Sequence, residues 1–216
     1  MSEISKFDQV EMKAPVDNFK NITPEKELSV KELNSIVGQE FNKAGEEYRS
    51  ELSTKEYQDD NGKVFRIGNE LVPNNEYEVN GYKYQTDDKG RIVSASGQLR
   101  MRDKNFSRNM ENRDNLTDKG YQENDQRSHL IGYQFGGSGK LENIVPMDGS
   151  LNQGDYEKME NTLAEAVKDN AKVYLKVEPV YESDEKRPSE FRITYSIDGD
   201  KTAIVFRNES GDNHDK

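Results

Sequence analysis

The stretch "DQRSHLIGYQFGG", residues 125 to 137, holds the one histidine in the body of a 216-residue chain; the second, His214, lies in the terminal "GDNHDK". Imidazole titrates near neutral pH, so His129 is the first candidate for moving a proton or binding a metal. A histidine beside Leu130 and Ile131 can equally be a packed residue, and its surroundings must argue for more. Downstream, Asn152, Tyr156 and Glu160 recur every four residues, a spacing that lines one face of a helix. A strand carrying His129, a turn and that helix would set an imidazole opposite an amide and a carboxylate. Such a set can hold one hard divalent ion through oxygen and leave most of its shell to water and a substrate phosphate. The chain has no cysteine, which excludes disulfides and thiolate metal sites.

A second group could meet phosphate. "GQLRMRDKNFSRNM" carries Arg100, Arg102, Lys104 and Arg108 against Asp103 alone. This cationic stripe lies inside an acidic protein of net charge -11. Phosphate binding is driven by Lys and Arg, so the overall charge argues against a nucleic-acid partner and the stripe argues for one. The excess is uneven: residues 1–60 hold 8 basic and 14 acidic side chains, more than half of it.

The elements that would position these residues follow from periodicity. Residues 1–60 read as a separate helical segment. Ser29 and Glu32 form a capping box with Leu28 and Leu33 as a staple, followed by Leu33, Ile36, Val37, Phe41, Ala44 and Tyr48 at helical spacing. Between 63 and 99 the pattern changes to period two, in "KVFRI", "NEYEV", "YKYQT" and "RIVSASGQL", with Asn80-Gly81 as a tight hairpin signal. Residues 100–128 read as a long polar loop. After the glycine-rich turn at Gly136, Gly137 and Gly139 come "NIVPM" and a helix over about 152–169, capped by Ser150 with Gln153, burying Tyr156, Met159, Leu163 and Val167. Strands "KVYLKVEPVY", "FRITYSI" and "TAIVF" close the chain, and residues 209–216 read as a disordered tail. Leu, Ile, Val and Phe make up only about a fifth of the residues, so the eleven tyrosines are expected to supply part of the core. No window is long and apolar enough for a membrane span, and "MSEISKFDQV" lacks the features of a cleavable leader.

"QRSHLIG", then "NIVPM", then "LNQGDYEKME" resemble the DNA/RNA non-specific endonucleases of the ββα-metal (His-Me finger) fold. Their pattern is Asp-Arg-Gly-His, later Asn-x-x-Pro, and an Asn eight residues before a Glu. Here these are His129, Asn143 to Pro146, Asn152 and Glu160; Arg127 keeps the Arg position, whereas Gln126 and Ser128 stand where the family has Asp and Gly. The resemblance implies an α+β fold: a ββα-metal core with antiparallel sheet over residues 61–208, preceded by the helical segment. It implies His129 as general base, Asn152 as ligand of Mg²⁺ or another divalent cation such as Mn²⁺, and Glu160 as an acceptor for the ion's water shell. Arg127 would neutralise phosphate, and Asn143 would chiefly shape the turn.

The implied activity is endonucleolytic hydrolysis of DNA, with RNA open as a substrate because no reader of the 2′-hydroxyl is identifiable. "KVYLKVEPVY" and "KRPSEFRITY" are similar to the branch found at the C-termini of secreted bacterial toxins. That branch implies export by a type VII route without a cleavable leader, residues 1–60 as the end of a secretion or partner-docking region, and action in the target-cell cytoplasm. It implies an immunity protein that inhibits the nuclease in the producer, and it is compatible with a secretion chaperone. The competing readings are a nuclease for DNA uptake or scavenging, and an inactive nuclease-like binding module.

Overall fold

The computed structural model describes residues 38–39, 41–43, 45–47, 53–103 and 120–209. The chain divides into two units, Met1–Arg49 and Ser50–Lys216. In the first, the described residues are helical and Phe41 of the expected apolar stripe is exposed. The expected capping box, the staple and the other stripe residues lie outside the described residues, as do Lys104, Arg108 and residues 210–216.

The second unit is α+β with antiparallel sheets, as expected. Its strands are β1 (Glu56–Gln58), β2 (Val64–Ile67), β3 (Glu70–Leu71), β4 (Glu76–Val79), β5 (Tyr82–Thr86), β6 (Ile92–Gln98), β7 (Asp125–His129), β8 (Ile144–Asp148), β9 (Val173–Tyr181), β10 (Pro188–Ile197) and β11 (Asp200–Arg207). They form a three-stranded sheet β1-β2-β3, a six-stranded sheet β11-β10-β9-β6-β5-β4 and a two-stranded hairpin β7-β8. The two-residue turns do what their composition dictates. Asn80-Gly81 and Asp198-Gly199 have positive φ at both positions, the backbone that suits a right-twisted hairpin and that Asn, Asp and Gly tolerate. They join β4 to β5 and β10 to β11.

Central strands show the alternation read from sequence. Val173, Leu175 and Val177 are buried and face Ile197, Tyr195 and Ile193 across the β9–β10 ladder. The tyrosines do carry core: Tyr77, Tyr82, Tyr84 and Tyr156 are fully buried, and Phe65, Tyr77 and Tyr84 stack at 4.8 and 5.3 Å between ring centroids. At these separations each pair adds about 0.5–1.5 kcal/mol beyond the area it buries.

One segment differs from expectation. Residues 56–60, expected to belong to the helical segment, instead hold β1 (Glu56–Gln58) and a clasp for the β4–β5 hairpin. Asp59 Oδ1 accepts from the Asn61 and Lys63 amides and its Oδ2 from Glu78 N. Asp60 Oδ2 accepts from Gly81 N at 2.8 Å. Polar residues that satisfy backbone donors leave no hydrophobic period to read.

Candidate functional site

The site region begins with β7, a strand with almost no apolar residues. Asp125, Gln126, Arg127, Ser128 and His129 pair in register with Asp148, Met147, Pro146, Val145 and Ile144 of β8. This corrects the expectation of a loop to residue 128. The strand is held by side-chain partners rather than by a hydrophobic stripe. Arg187 grips Asp125 with two parallel bonds, Nε to Oδ2 at 2.7 Å and Nη2 to Oδ1 at 2.8 Å, and the pair is almost fully buried. Asn208 adds a second clamp. Its Oδ1 accepts from Asp148 N, and its Nδ2 donates to the carbonyls of Pro146 and Pro188. Asp125, the nearest acid to the position where the family has Asp, is therefore committed to an ion pair.

The turn that follows His129 is built around Asn143, which is fully buried. Its Oδ1 accepts from Ile131 N at 2.9 Å, and its Nδ2 donates to the carbonyls of Ile131 and Ser138 at 2.9 and 2.8 Å. All the bonds of that amide go to backbone, so it shapes the turn. A Cβ at Gly137 would overlap the Ile131 carbonyl, and Gly136 has a φ of 80°; only glycine suits both positions.

The helix after β8 comes in three parts. A single α turn, Gly149–Leu151, leads through a π turn, Asn152–Tyr156, into α1, Glu157–Lys168. Its cap is Asp148, whose Oδ1 accepts from Ser150 N at 2.9 Å, and not the expected Ser150 and Gln153. Inside the π turn Gly154 leaves helical geometry, with φ -107° and ψ -108°. The four-residue spacing of Asn152, Tyr156 and Glu160 therefore does not lie along one regular α-helix. π turns are uncommon and concentrate at functional sites.

Three contacts tie this helix to the hairpin. Asn152, half-buried, donates Nδ2–H to Gln126 Oε1 at 2.7 Å. Tyr156, buried, donates its hydroxyl to the Leu130 carbonyl at 2.8 Å. The Glu160 carboxylate lies against Gly132, where a Cβ would fall on Oε1 and within 2.9 Å of Oε2. Residues 126, 130 and 132 bracket His129, whose Nε2 is buried. Glu160 Oε1 is likewise buried and has no hydrogen-bond partner. Burial, and then the neighbouring Glu157, push this carboxyl up to about 8 against the lowering effect of the Gly132 amide. Among the described residues no three His, Asp or Glu side chains gather into a cluster that could hold a metal.

Arg100 and Arg102 are each stacked on a tyrosine, the first on the β4–β5 hairpin and the second on the turn after His129. The Arg100 guanidinium is 5.2 Å from the Tyr82 ring centroid and donates to the Asn80 carbonyl. Arg102 is 4.4 Å from that of Tyr133 and donates to its hydroxyl at 3.3 Å, while its backbone amide bonds the Gln134 carbonyl at 2.9 Å. Tyr82 in turn donates its hydroxyl to the Phe135 carbonyl at 2.6 Å. Arg102 is thus anchored directly to the turn that follows His129, and Arg100 only through Tyr82.

Residues 73–199 match the DNA/RNA non-specific endonuclease family, and that stretch contains the hairpin, the turn and the kinked helix. The chain belongs to this family. It is 30% identical over 143 residues to the type VII secretion system protein EssD of Staphylococcus aureus (strain USA300). The alignment covers 61% of this chain and 22% of EssD, so the chain spans about a fifth of that relative. Among solved structures, an extracellular endonuclease aligns with a TM-score of 0.45 at 20% identity over 61% of this chain and 80% of its own. The Sda1 nuclease with bound zinc ion aligns with a TM-score of 0.38 at 25% identity, over 40% and 39% of the two chains.

Three participants at this site carry no chemical signature of their own. Gln126 is invisible until its partner is known, Gly132 matters only because Glu160 needs its space, and Arg187 lies 62 residues from Asp125. The one usable signal was Asp125 itself, an acid in a strand otherwise rich in uncharged polar residues.

Proposed function

We propose that this chain is a metal-dependent, sequence-independent endonuclease domain that hydrolyses phosphodiester bonds of DNA, with RNA open as a second substrate. We propose also that it serves as the nuclease part of a type VII-secreted antibacterial toxin restrained by an immunity protein. The observation that carries the enzymatic reading is the triple tie of helix to hairpin at Gln126, Leu130 and Gly132, around His129. The similarity to EssD supports the secreted role.

The residues present fit a hard divalent cation. Asn152 commits its Nδ2 to Gln126 and keeps Oδ1, and Glu160 presents a buried oxygen with no protein partner. A single amide oxygen suits Mg²⁺ or Mn²⁺, since Mg²⁺ keeps several of its waters and needs few protein ligands. When bound, such an ion would supply positive charge to a phosphate oxygen and to the leaving group.

The chain's own groups do the rest. Neutral His129 takes a proton from the attacking water. Glu160 accepts a hydrogen bond that orients water in the site. Arg127 neutralises the scissile phosphate. Arg100 and Arg102, with Lys104 and Arg108 beyond the described residues, hold the neighbouring backbone; contacts to phosphate carry no base information, which accounts for indifference to sequence.

Incubating the chain with plasmid DNA and with RNA, in Mg²⁺ and in excess chelator, tests the enzymatic reading. Cutting in the metal arm alone is expected; a folded chain that binds plasmid and never cuts it would be a binding module. Lethality on cytoplasmic expression, relieved by a neighbouring immunity gene, tests the toxin reading.

A further inference from the structure

The reading of Asn152 as the cation's anchor leaves a gap, because a side-chain amide has two ends of opposite character. Its oxygen accepts, its nitrogen carries two protons, and rotation of the last torsion by half a turn exchanges them. An amide that ligates a cation through Oδ1 must be kept from presenting N–H instead. We propose that Gln126 is the positioning residue that does this: its Oε1 holds Asn152 Nδ2 at 2.7 Å, so Oδ1 is the end left for the cation.

Gln126 is itself placed. A Cβ at Gly149 would stand 3.1 Å from Gln126 Nε2 and 3.0 Å from the Asn124 carbonyl, which itself accepts from Gly149 N. The glycine at the start of the helix is what lets the Gln126 amide lie there. The strand under Gln126 is fixed in register against β8 and clamped one residue earlier by the buried Asp125–Arg187 pair. Gln126 occupies the position at which the family has an acid. Glutamine supplies the same acceptor with a longer reach and without a negative charge. On this account Gln126 orients the Asn152 amide, and the acid nearest in sequence, Asp125, serves the fold instead.

This inference rests on Asn152 being the anchor, and one experiment separates the two. Free Mn²⁺ is measured by electron paramagnetic resonance while it is titrated with the purified chain, in the absence of nucleic acid. The set comprises the parent, Gln126→Met, Gln126→Glu, Asn152→Ala and the double variant Asn152→Ala/Gln126→Met. Outer partners of metal ligands are typically worth 10- to 100-fold in affinity, and the weak, single-anchor site here points to the lower end. Gln126→Met, similar in shape but with no acceptor oxygen, is expected to weaken Mn²⁺ binding by about tenfold. Gln126→Glu, which can only accept from Asn152, is expected to bind at least as tightly as the parent. In the Asn152→Ala background, Gln126→Met is expected to add nothing.

Parent-like binding by Gln126→Met would overturn the inference. So would equal weakening by Met and Glu, which would make Gln126 a packing residue, and so would a full further loss in the double variant. Parent-like binding by Asn152→Ala would instead overturn the assignment of the anchor. If Gln126→Met fails to fold, Gln126→Glu decides alone: parent-like or tighter binding upholds the inference and weakening overturns it.

Discussion

Glu160 gives the residue scale its sharpest consequence. A carboxyl raised to about 8 by burial and by Glu157, against an ordinary value near 4.3 in the unfolded chain, binds more protons when folded than when unfolded throughout that interval. The slope of stability with pH follows the protons bound by the unfolded state minus those bound by the native state, so this group makes it negative there. In chelator, therefore, the stability Glu160 contributes is full below about pH 4 and is lost as pH rises to about 8. Glu160→Gln is expected to flatten the decline in melting temperature between pH 5 and 8 and to leave the variant the more stable protein at pH 8. Equal pH profiles for parent and variant would mean that the carboxyl is not desolvated.

The elements around His129 show what the sequence could and could not disclose. Strands such as β5 and β9 were legible because one side of each meets the core and the alternation survives; β11, with only Ile204 and Phe206 half-buried, was legible from its β-branched and aromatic residues. The β4–β5 turn was legible because Asn80-Gly81 is chemically suited to positive φ. The strand ending at His129 was expected but its run from Asp125 to Ser128 was hidden in an apparent loop, since its order comes from partners distant in sequence, Arg187 and Asn152, and not from its own pattern. The helix was visible but its shape was not: four-residue spacing implies a regular face, whereas the backbone at Gly154 breaks it. His129, Asn152 and Glu160 stood out by type and spacing; the residues that hold them stood out by neither. It follows that the Asp125–Arg187 pair should matter to the hairpin as much as any core residue. Arg187→Met removes the cation and leaves the buried Asp125 charge with only the Gln122 amide as a donor, for which about 3–5 kcal/mol of destabilisation is expected. A loss below about 1 kcal/mol by denaturant titration would show that β7 is held in some other way.

Over the whole molecule, the two facts to reconcile are a strongly acidic chain and a polyanionic substrate. Much of the acidic excess lies in residues 1–60, yet β1 and the Asp59–Asp60 clasp lie there too, so we place the start of the nuclease domain near Ser50 and not at residue 61. A chain beginning at Ser50 is expected to melt like the full chain and to bind DNA at least as well. One beginning at residue 61 loses β1 and both aspartates and is expected to melt lower. Identical melting of the two truncated chains would restore the later boundary. The cations that remain act locally. Arg100→Ser and Arg102→Ser are each expected to flatten the dependence of log affinity on log salt by roughly 0.7 to 0.9 and to leave the cutting pattern unchanged. An unchanged slope would make them solvated surface groups, and a new sequence bias would make them readers of bases.

The proposed hydrolysis depends on His129 being the group that activates water. The direct measurement is the initial rate of supercoiled plasmid relaxation in Mg²⁺ by the parent and by His129→Ala, at equal concentration and with matched melting curves. Loss of a general base is expected to slow the reaction by on the order of 10² to 10⁴ while Mn²⁺ binding stays at the parent level. A folded His129→Ala chain that cuts as fast as the parent would contradict the account.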